Sequence, residues 1–288
     1  MTVSAIRQAA SEQGLLHIPP VRQIGTKELR HLRKQGFRTY PQRPLSYSSL
    51  KEFAKSPLHY LEYLTRPSIH SDAMLAGKLF EALLLNEDLA SSFVIFERPV
   101  ADKDFRTKAN REARDAARSE AYASQREAVE VQQIAALEPV VELARQHPFW
   151  KRLRRYAYKR PAQKTIIEPN SRLKLTGIPD LSFRRGKVGV DLKFVGSVAE
   201  FRQRIFGRSY AYWMQAAMYS LIYGYEEFVF FAVQSQPHHY AEAFQLDGEC
   251  LALLRQKLIQ EVLLKFRYHL HQGFRAEAQQ VEVPLHFL

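Results

Sequence analysis

Residues Thr176–Phe194 read TGIPDLSFRRGKVGVDLKF. Two strand-like runs, Leu175–Phe183 and Val188–Val195, flank the charged turn Arg184-Arg185-Gly186-Lys187. A glycine-containing turn between two apolar runs marks a tight hairpin. A two-residue loop at Arg185-Gly186 sets Arg184 opposite Lys187. Counting outwards, Phe183 faces Val188 and Asp180 falls opposite Asp191. Directly opposed residues have Cβ atoms roughly 4.5–5.5 Å apart, and like charges placed so are destabilising. Lys193 leaves the same face as Asp191, because side chains alternate along a strand. Val190 and Leu192 point the other way, into a core. Two readings stay open for these charges: a salt-bridged cluster on a solvated sheet face, or a divalent-cation site. Carboxylates with waters and substrate phosphates are the usual ligands of Mg²⁺.

The rest of the composition narrows the setting. The chain has 288 residues, 46% of them hydrophobic and 25% charged, enough to bury a substantial core. No apolar run is of membrane length, and the first residues, MTVSAIRQAASEQG, carry no apolar signal segment. We therefore expect a cytoplasmic protein with no membrane partner. Cys250 is the single cysteine, which excludes disulfides within the chain and any four-cysteine metal cluster. The net charge of +12 is compatible with a simply basic protein, but an excess this large more often marks a polyanion partner. Basic residues crowd Lys27–Arg43 and Lys151–Arg160, the latter without a single acid and beside Trp150, Tyr156 and Tyr158. Arg152, Arg154, Arg155, Lys159 and Arg160 are thus candidate phosphate contacts, with a solvated helix face as the plainer alternative. Arg106, Lys108 and Arg111 in the charged stretch Ala101–Ser124 are further candidates, against a solvated helix face as the plainer alternative.

Residues 1–45 read as an N-terminal arm, followed by a single domain over 46–288. Ser48 or Ser49 is expected to cap a first helix, and Pro57 to open a second. His59 reads as structural. Asp72–Asn86 is apolar nearly all round and predicts a buried helix with Glu81 at its middle. A buried carboxylate is costly unless it is paired or ligates a metal. Gly77, one turn earlier, leaves room for a backbone or a phosphate. A short strand is expected over Phe93–Pro99 and a helix over Glu127–Gln146. Lys164–Glu168 would make three antiparallel strands with the hairpin. Helices from about Val198 and over Tyr210–Tyr223 follow, then strands Glu227–Gln234 and His239–Gln245, then a long helix Leu251–His271. Gln215 and Tyr219 share one helix face. They position a phosphate or a water, or else make ordinary interface hydrogen bonds. The whole is an α/β (α+β) layered domain with a central mixed β-sheet.

Taken in order, Gly77…Glu81, Gly177-Ile178-Pro179-Asp180, Asp191-Leu192-Lys193 and Gln215…Tyr219 resemble the PD-(D/E)XK nuclease superfamily. Within it the likeness is closest to the exodeoxyribonuclease VIII (RecE-type) nuclease domain. LKEFAKSPLHY (Leu50–Tyr60), AMLAGKLFEALLL (Ala73–Leu85), FRTK (Phe105–Lys108) and QAAMY (Gln215–Tyr219) are similar to motifs of that family. The resemblance implies a restriction-endonuclease-like mixed sheet flanked by helices. It also implies Mg²⁺-dependent hydrolysis of DNA from double-strand ends, with Mn²⁺ as a substitute ion, in recombination or repair. Asp180, Asp191 and Glu81 would hold the metal, with the Leu192 carbonyl as a further ligand. Lys193, Gln215 and Tyr219 would act on the water or the phosphate. Glu81 stands where the family usually has His. The likeness further implies a bacterial or phage-encoded protein, a homo-oligomeric ring and a partner that anneals or coats single strands. Two alternatives remain: a nicking or restriction-like endonuclease, and a DNA-binding assembly protein on a degenerate nuclease fold.

Overall fold

Serine spacing decides where the first described helix begins. The computed structural model describes residues 43–65, 71–101, 103–156, 158–207, 211–272 and 274. Its first helices are α1 (Tyr47–Lys55) and α2 (Pro57–Thr65). Ser46 caps α1, rather than Ser48 or Ser49. The Ser49 N–H donates to the Ser46 hydroxyl and the Ser46 N–H to the Ser49 hydroxyl. Ser49 is thus the third residue of the helix and the partner in the capping box, not the cap itself. Pro57 opens α2, as expected, and His59 is bonded locally to Ser56. Most of the expected arm and its Lys27–Arg43 basic run lie outside the described residues. Leu45, at its end, exchanges backbone hydrogen bonds with Lys174 and Thr176.

Helix α3 (Asp72–Leu85) is buried only in its second half, through Leu79, Phe80, Ala82 and Leu84. Its first turn is exposed, with Met74 52% exposed. Then come β1 (Phe93–Phe96), α4 (Lys108–Ala123), β2 (Glu127–Glu130), α5 (Val131–Gln146) and α6 (Pro148–Arg155). The expected helix over Glu127–Gln146 is thus divided. Its first four residues pair with β1 in a parallel ladder, where Val129 is fully buried.

The remaining elements are β3 (Lys164–Ile167), β4 (Lys174–Gly177), β5 (Leu181–Phe183), β6 (Val188–Val195), α7 (Val198–Phe206), α8 (Tyr212–Tyr223), β7 (Glu227–Gln234), β8 (Ala241–Leu246), α9 (Gly248–Lys257) and α10 (Leu264–His271). A π-helical turn, Leu258–Leu263, separates the last two, so the long C-terminal helix is not continuous. The larger sheet has the order β5-β6-β7-β8, with β6–β7 parallel and the outer pairs antiparallel. Phe183 pairs with Val188, the expected register. The connection is wider than the expected two-residue loop: the strands stop at Phe183 and Val188, and Arg184 and Lys187 are not a ladder pair. Arg184, Arg185 and Gly186 all have positive φ (51°, 56° and 83°), the Gly186 N–H donates to Phe183 O at 3.1 Å, and the Lys187 N–H donates to Arg184 O at 3.2 Å.

Leu175–Phe183 is two strands rather than one. Ile178-Pro179-Asp180 interrupts it, and β4 pairs instead with β3 in a separate two-stranded sheet. Pro179 has no N–H and a fixed φ, so the ladder cannot pass through it. The expected three-stranded antiparallel unit is replaced by two sheets that part at this proline.

Strand β7, EFVFFAVQ, shows why the sheet is covered on both sides. Phe228, Phe230 and Ala232 join the core formed with α1, α7, α8 and α9. Val229, Phe231 and Val233 join the other core, with α3, α5 and α6. A strand buried on both faces reads as a continuous apolar run. This is the mixed sheet between helical layers that the sequence predicts.

Candidate active site

Strand β6 outruns β5, and that mismatch creates the site. The β5 ladder ends at Leu181, which pairs with Val190. Beyond it, the Leu192 N–H faces the side from which the chain has turned away at Pro179. The Asp180 carboxylate fills the place of the missing strand, accepting the Leu192 N–H at 2.6 Å. Asp191 and Lys193 leave β6 on the face towards α8. Asp191 is buried, its Oδ1 accepts from Gln215 Nε2 at 2.6 Å, and its Oδ2 pairs with the Lys193 ammonium. Gln215 Nε2 also lies 3.4 Å from the Tyr219 hydroxyl one turn on. Asp191 can only accept, so the amide nitrogen faces it. The buried Gln215 Oε1 has no partner among the described residues. The Tyr212 ring sits 5.0 Å from the Lys193 ammonium.

These groups line one cavity of about 320 Å³, with Glu81, Asp180, Asp191, Lys193, Gln215 and Tyr219 in its wall. Met74, Gly77, Lys78, Phe80, Leu192 and Phe194 complete its lining. A Cβ on Gly77 would meet nothing within 4 Å. Packing among the described residues therefore does not require that glycine, and the space belongs to the cavity. Gly177 is different. A Cβ there would fall 2.5 Å from the Tyr219 ring. Gly177→Ala is therefore expected to displace Tyr219 and to lower stability by about 1–3 kcal/mol, as overpacking does. Thermal melting measures this, and G177A/Y219L should recover part of the loss. A G177A protein that melts with the parent would place Tyr219 elsewhere.

Electrostatics marks the cavity as short of positive charge. Burial, then the charges of Asp191 and Glu81, hold Asp180 well above the usual carboxylate range. Burial also raises Asp191, against the pull of Lys193 and Gln215. Glu81 is raised by burial and by Asp191 and Glu87, with Arg160 opposing. Burial alone would lower Lys193, but Asp191 and Asp180 more than offset it and keep the ammonium protonated. Burial also pushes the Tyr219 hydroxyl upward, so it remains a donor.

These raised carboxylates bind protons more tightly folded than unfolded. The stability they contribute is present at acid pH and lost as pH rises through their folded values. The cation-free protein should therefore gain melting temperature from these groups as pH falls from above their folded values towards the ordinary carboxylate range. Glu168 runs the other way, because hydrogen bonds from Ser171 and Asn170 outweigh its burial and hold it low. The readout is therefore the difference between parent and Asp180→Asn, which should have the shallower slope. Identical slopes would overturn the assignment.

Three carboxylates on one cavity are a hard-oxygen donor set of the kind that suits Mg²⁺ or Mn²⁺. They are not arranged as a finished ligand cluster, and no such cluster stands among the described residues. Asp180 is turned to the Leu192 amide, Asp191 to Lys193 and Gln215, and Glu81 to Arg160. The donor chemistry fits a divalent cation, while the side chains are satisfied by one another.

The basic candidates divide. On α6, Phe149, Trp150 and Leu153 are buried while Arg152, Arg154 and Arg155 face outward. Lys159 is exposed and bridges by its backbone to Ser182. Arg160 instead turns to Glu81 and Glu87 at the cavity. Arg106 and Lys108 are exposed beside the start of α4, near Asp104 and Glu112 respectively, and do not line the cavity. Sequence reasoning missed Tyr212 and the pairing of Arg160 with Glu81. Tyr212 lies three residues before Gln215 on α8, a spacing that could have found it. Nothing local signals the arginine.

No curated protein matches this sequence. Among solved structures, a Eubacterium rectale protein described as "Putative exonuclease" is similar at 12% identity and a TM-score of 0.49, covering 92% of this chain and 97% of its own. The structure of SSO0001 is similar at 13% identity and a TM-score of 0.26, covering 65% and 85%. At these values neither bears on the chemistry. The model of the PDDEXK-like domain of unknown function (DUF3799) matches residues 46–280. That span holds Glu81, Asp180, Asp191, Lys193, Gln215 and Tyr219, and the chain belongs to this PDDEXK-like family.

Proposed function

We propose that this protein is a divalent-cation-dependent deoxyribonuclease that hydrolyses phosphodiester bonds from the ends of linear double-stranded DNA, in recombination or repair. The observation that carries the reading is the convergence of Glu81, Asp180, Asp191 and Lys193 on one cavity. Membership of a PDDEXK-like family supports nuclease chemistry. The net charge of +12 and the outward arginines of α6 suit a phosphate backbone. Arg152, Arg154, Arg155 and Lys159 would track it near the cavity, and Arg106 and Lys108 further off.

Asp180 and Asp191 would hold the cation, Mg²⁺ or Mn²⁺, with Glu81 and the Leu192 carbonyl as further ligands. When bound, such an ion neutralises phosphoryl charge, lowers the pKa of a water and steadies the leaving oxygen. The chain's own groups do the rest. Lys193 is protonated, so it donates: it holds a water or offsets charge building on the phosphoryl group. Gln215 spends its amide nitrogen on Asp191 and keeps the carboxylate oriented. Its free oxygen is an acceptor for a water's hydrogen. Tyr219 offers a hydroxyl hydrogen beside it. Tyr212 fixes the lysine from its far side.

The end-dependent mode, the ring-shaped oligomer, the cytoplasmic setting and the annealing partner follow the RecE-type likeness and belong to the proposal. Among the described residues no helix is long and apolar enough to cross a membrane. The test is digestion of linear and of closed circular duplex DNA, each with Mg²⁺ and with chelator, alongside Asp191→Asn. Loss of the linear DNA alone, dependent on cation and on Asp191, is the expected result. Cutting of the circle would replace the exonuclease by an endonuclease. Binding without cutting of either would leave a DNA-binding protein on a nuclease fold.

A further inference from the structure

Arg160 stands between two carboxylates with different surroundings. Its Nη2 pairs with Glu81, and its Nε lies 2.9 Å from Glu87 Oε1. Glu81 lines the cavity, whereas Glu87 does not. The two acids are six residues apart and would not share a face on a straight helix. Asn86 changes that. It ends α3 in the left-handed region, with φ at 55°, and the Glu87 N–H returns to Ala82 O at 2.9 Å. This is a helix-terminating turn of the Schellman kind. Arg145 braces it, donating to Leu83 O at 2.7 Å and to the Asn86 side chain. Glu87 is therefore held in place beside Arg160 by the fold.

A guanidinium has five N–H donors in a fixed fork and can serve two carboxylates at once. It can also release one and keep the other. Glu81, in contrast, cannot both hold Arg160 and turn into the cavity. We propose that Arg160 and Glu87 form an exchange pair that positions Glu81. Arg160 holds Glu81 aside in the resting site, and Glu87 retains Arg160 when Glu81 turns inward to a divalent cation. This rests on the reading of the cavity as a cation site. It makes Arg160 and Glu87 positioning residues that set cation affinity without touching the cation. The exchange leaves no charge unpaired: the cation takes the place of Arg160 at Glu81, and Arg160 keeps a carboxylate. It also accounts for why Glu81 is turned to Arg160 in the structure.

The test is Mn²⁺ binding to the full chain without DNA, followed by the paramagnetic resonance of free Mn²⁺. Arg160→Gln releases Glu81 and should tighten binding about fivefold, the range open to a half-exposed ion pair. Glu87→Gln leaves Arg160 with Glu81 alone and should weaken binding by about the same factor. The double variant R160Q/E87Q separates exchange from a plain field effect. In the exchange, Glu87 acts only through the arginine, so the double variant binds like R160Q. If the two charges acted only through space, their effects would cancel and the double variant would bind like the parent. That outcome, or an R160Q protein with parental affinity, overturns the proposal and leaves the cation site standing. A parent chain that binds no Mn²⁺ overturns the cation site itself.

Discussion

Asp191→Asn is expected to lower the cleavage rate at least about a thousandfold, roughly 4 kcal/mol of transition-state stabilisation, and to leave the fold intact. The substitution changes charge and almost nothing else. Asparagine has the same size, and its side-chain oxygen can still accept the Gln215 amide that now reaches Asp191 at 2.6 Å. What disappears is the negative charge at the centre of the site. Asp191 is the largest favourable influence on Lys193, and burial would otherwise push that ammonium towards neutrality. It is also the carboxylate that raises both Asp180 and Glu81. Its neutralisation therefore removes the lysine's anchor and, in the proposed cation site, a ligand charge in one step. The measurement is single-turnover digestion of end-labelled linear DNA with saturating Mg²⁺, with circular dichroism and a melt to verify folding. A folded variant that cuts within tenfold of the parent would remove Asp191 from the chemistry. A variant recovered by high Mn²⁺ would place the loss in cation affinity more than in the lysine.

The parts of this site that were legible in the sequence are those set by local rules. Strand alternation puts Asp191 and Lys193 on one face whatever the rest of the chain does. The turn between Phe183 and Val188 keeps the expected register although it is wider than a two-residue loop, and with it comes the approach of Asp180 to Asp191. Helical spacing joins Gln215 to Tyr219. What was not legible depends on partners far away in the chain. EAVE at Glu127–Glu130 is compatible with a helix and becomes a strand because Phe93–Phe96 offers a parallel neighbour. Pro179 was visible, but the separate pairing of β4 with β3 that follows from it was not. Arg160 reads as one more charge in a basic run. Only the approach of α3, 79 residues earlier in the chain, turns it to Glu81. Asp180 illustrates both sides. Its position follows from the hairpin, while its hydrogen bond to the Leu192 amide exists because the strand fails just there.

Phe231→Ala is expected to destabilise the protein by about 3–5 kcal/mol, the cost of removing a fully buried phenylalanine whose site cannot collapse. Phe231 sits in the middle of β7 with no exposed surface. Its ring lies 5.2 Å from His147, 5.4 Å from Phe149 and 6.0 Å from Trp150, each measured between centroids. Those three residues come from the junction of α5 and α6, so the ring joins the sheet to the helix that carries Arg152, Arg154 and Arg155. The backbone around it is fixed on both sides, by Leu192 of β6 and Ala243 of β8. The strands cannot close over the gap without breaking a ladder, and the cavity should persist. Chemical denaturation is the measurement, with Ile167→Ala as the comparison. Ile167 is 60% exposed on β3, and its truncation should cost no more than about 0.5 kcal/mol. The two effects should differ by several kcal/mol. If Phe231→Ala cost less than about 1 kcal/mol, the ring would not be enclosed by α5 and α6, and β7 would not be the strand shared by the two cores. The loss should reach the site as well. Leu192 is the register partner of Phe231 and donates its N–H to Asp180, so a loosened β7 also loosens the strand that holds Asp191 and Lys193.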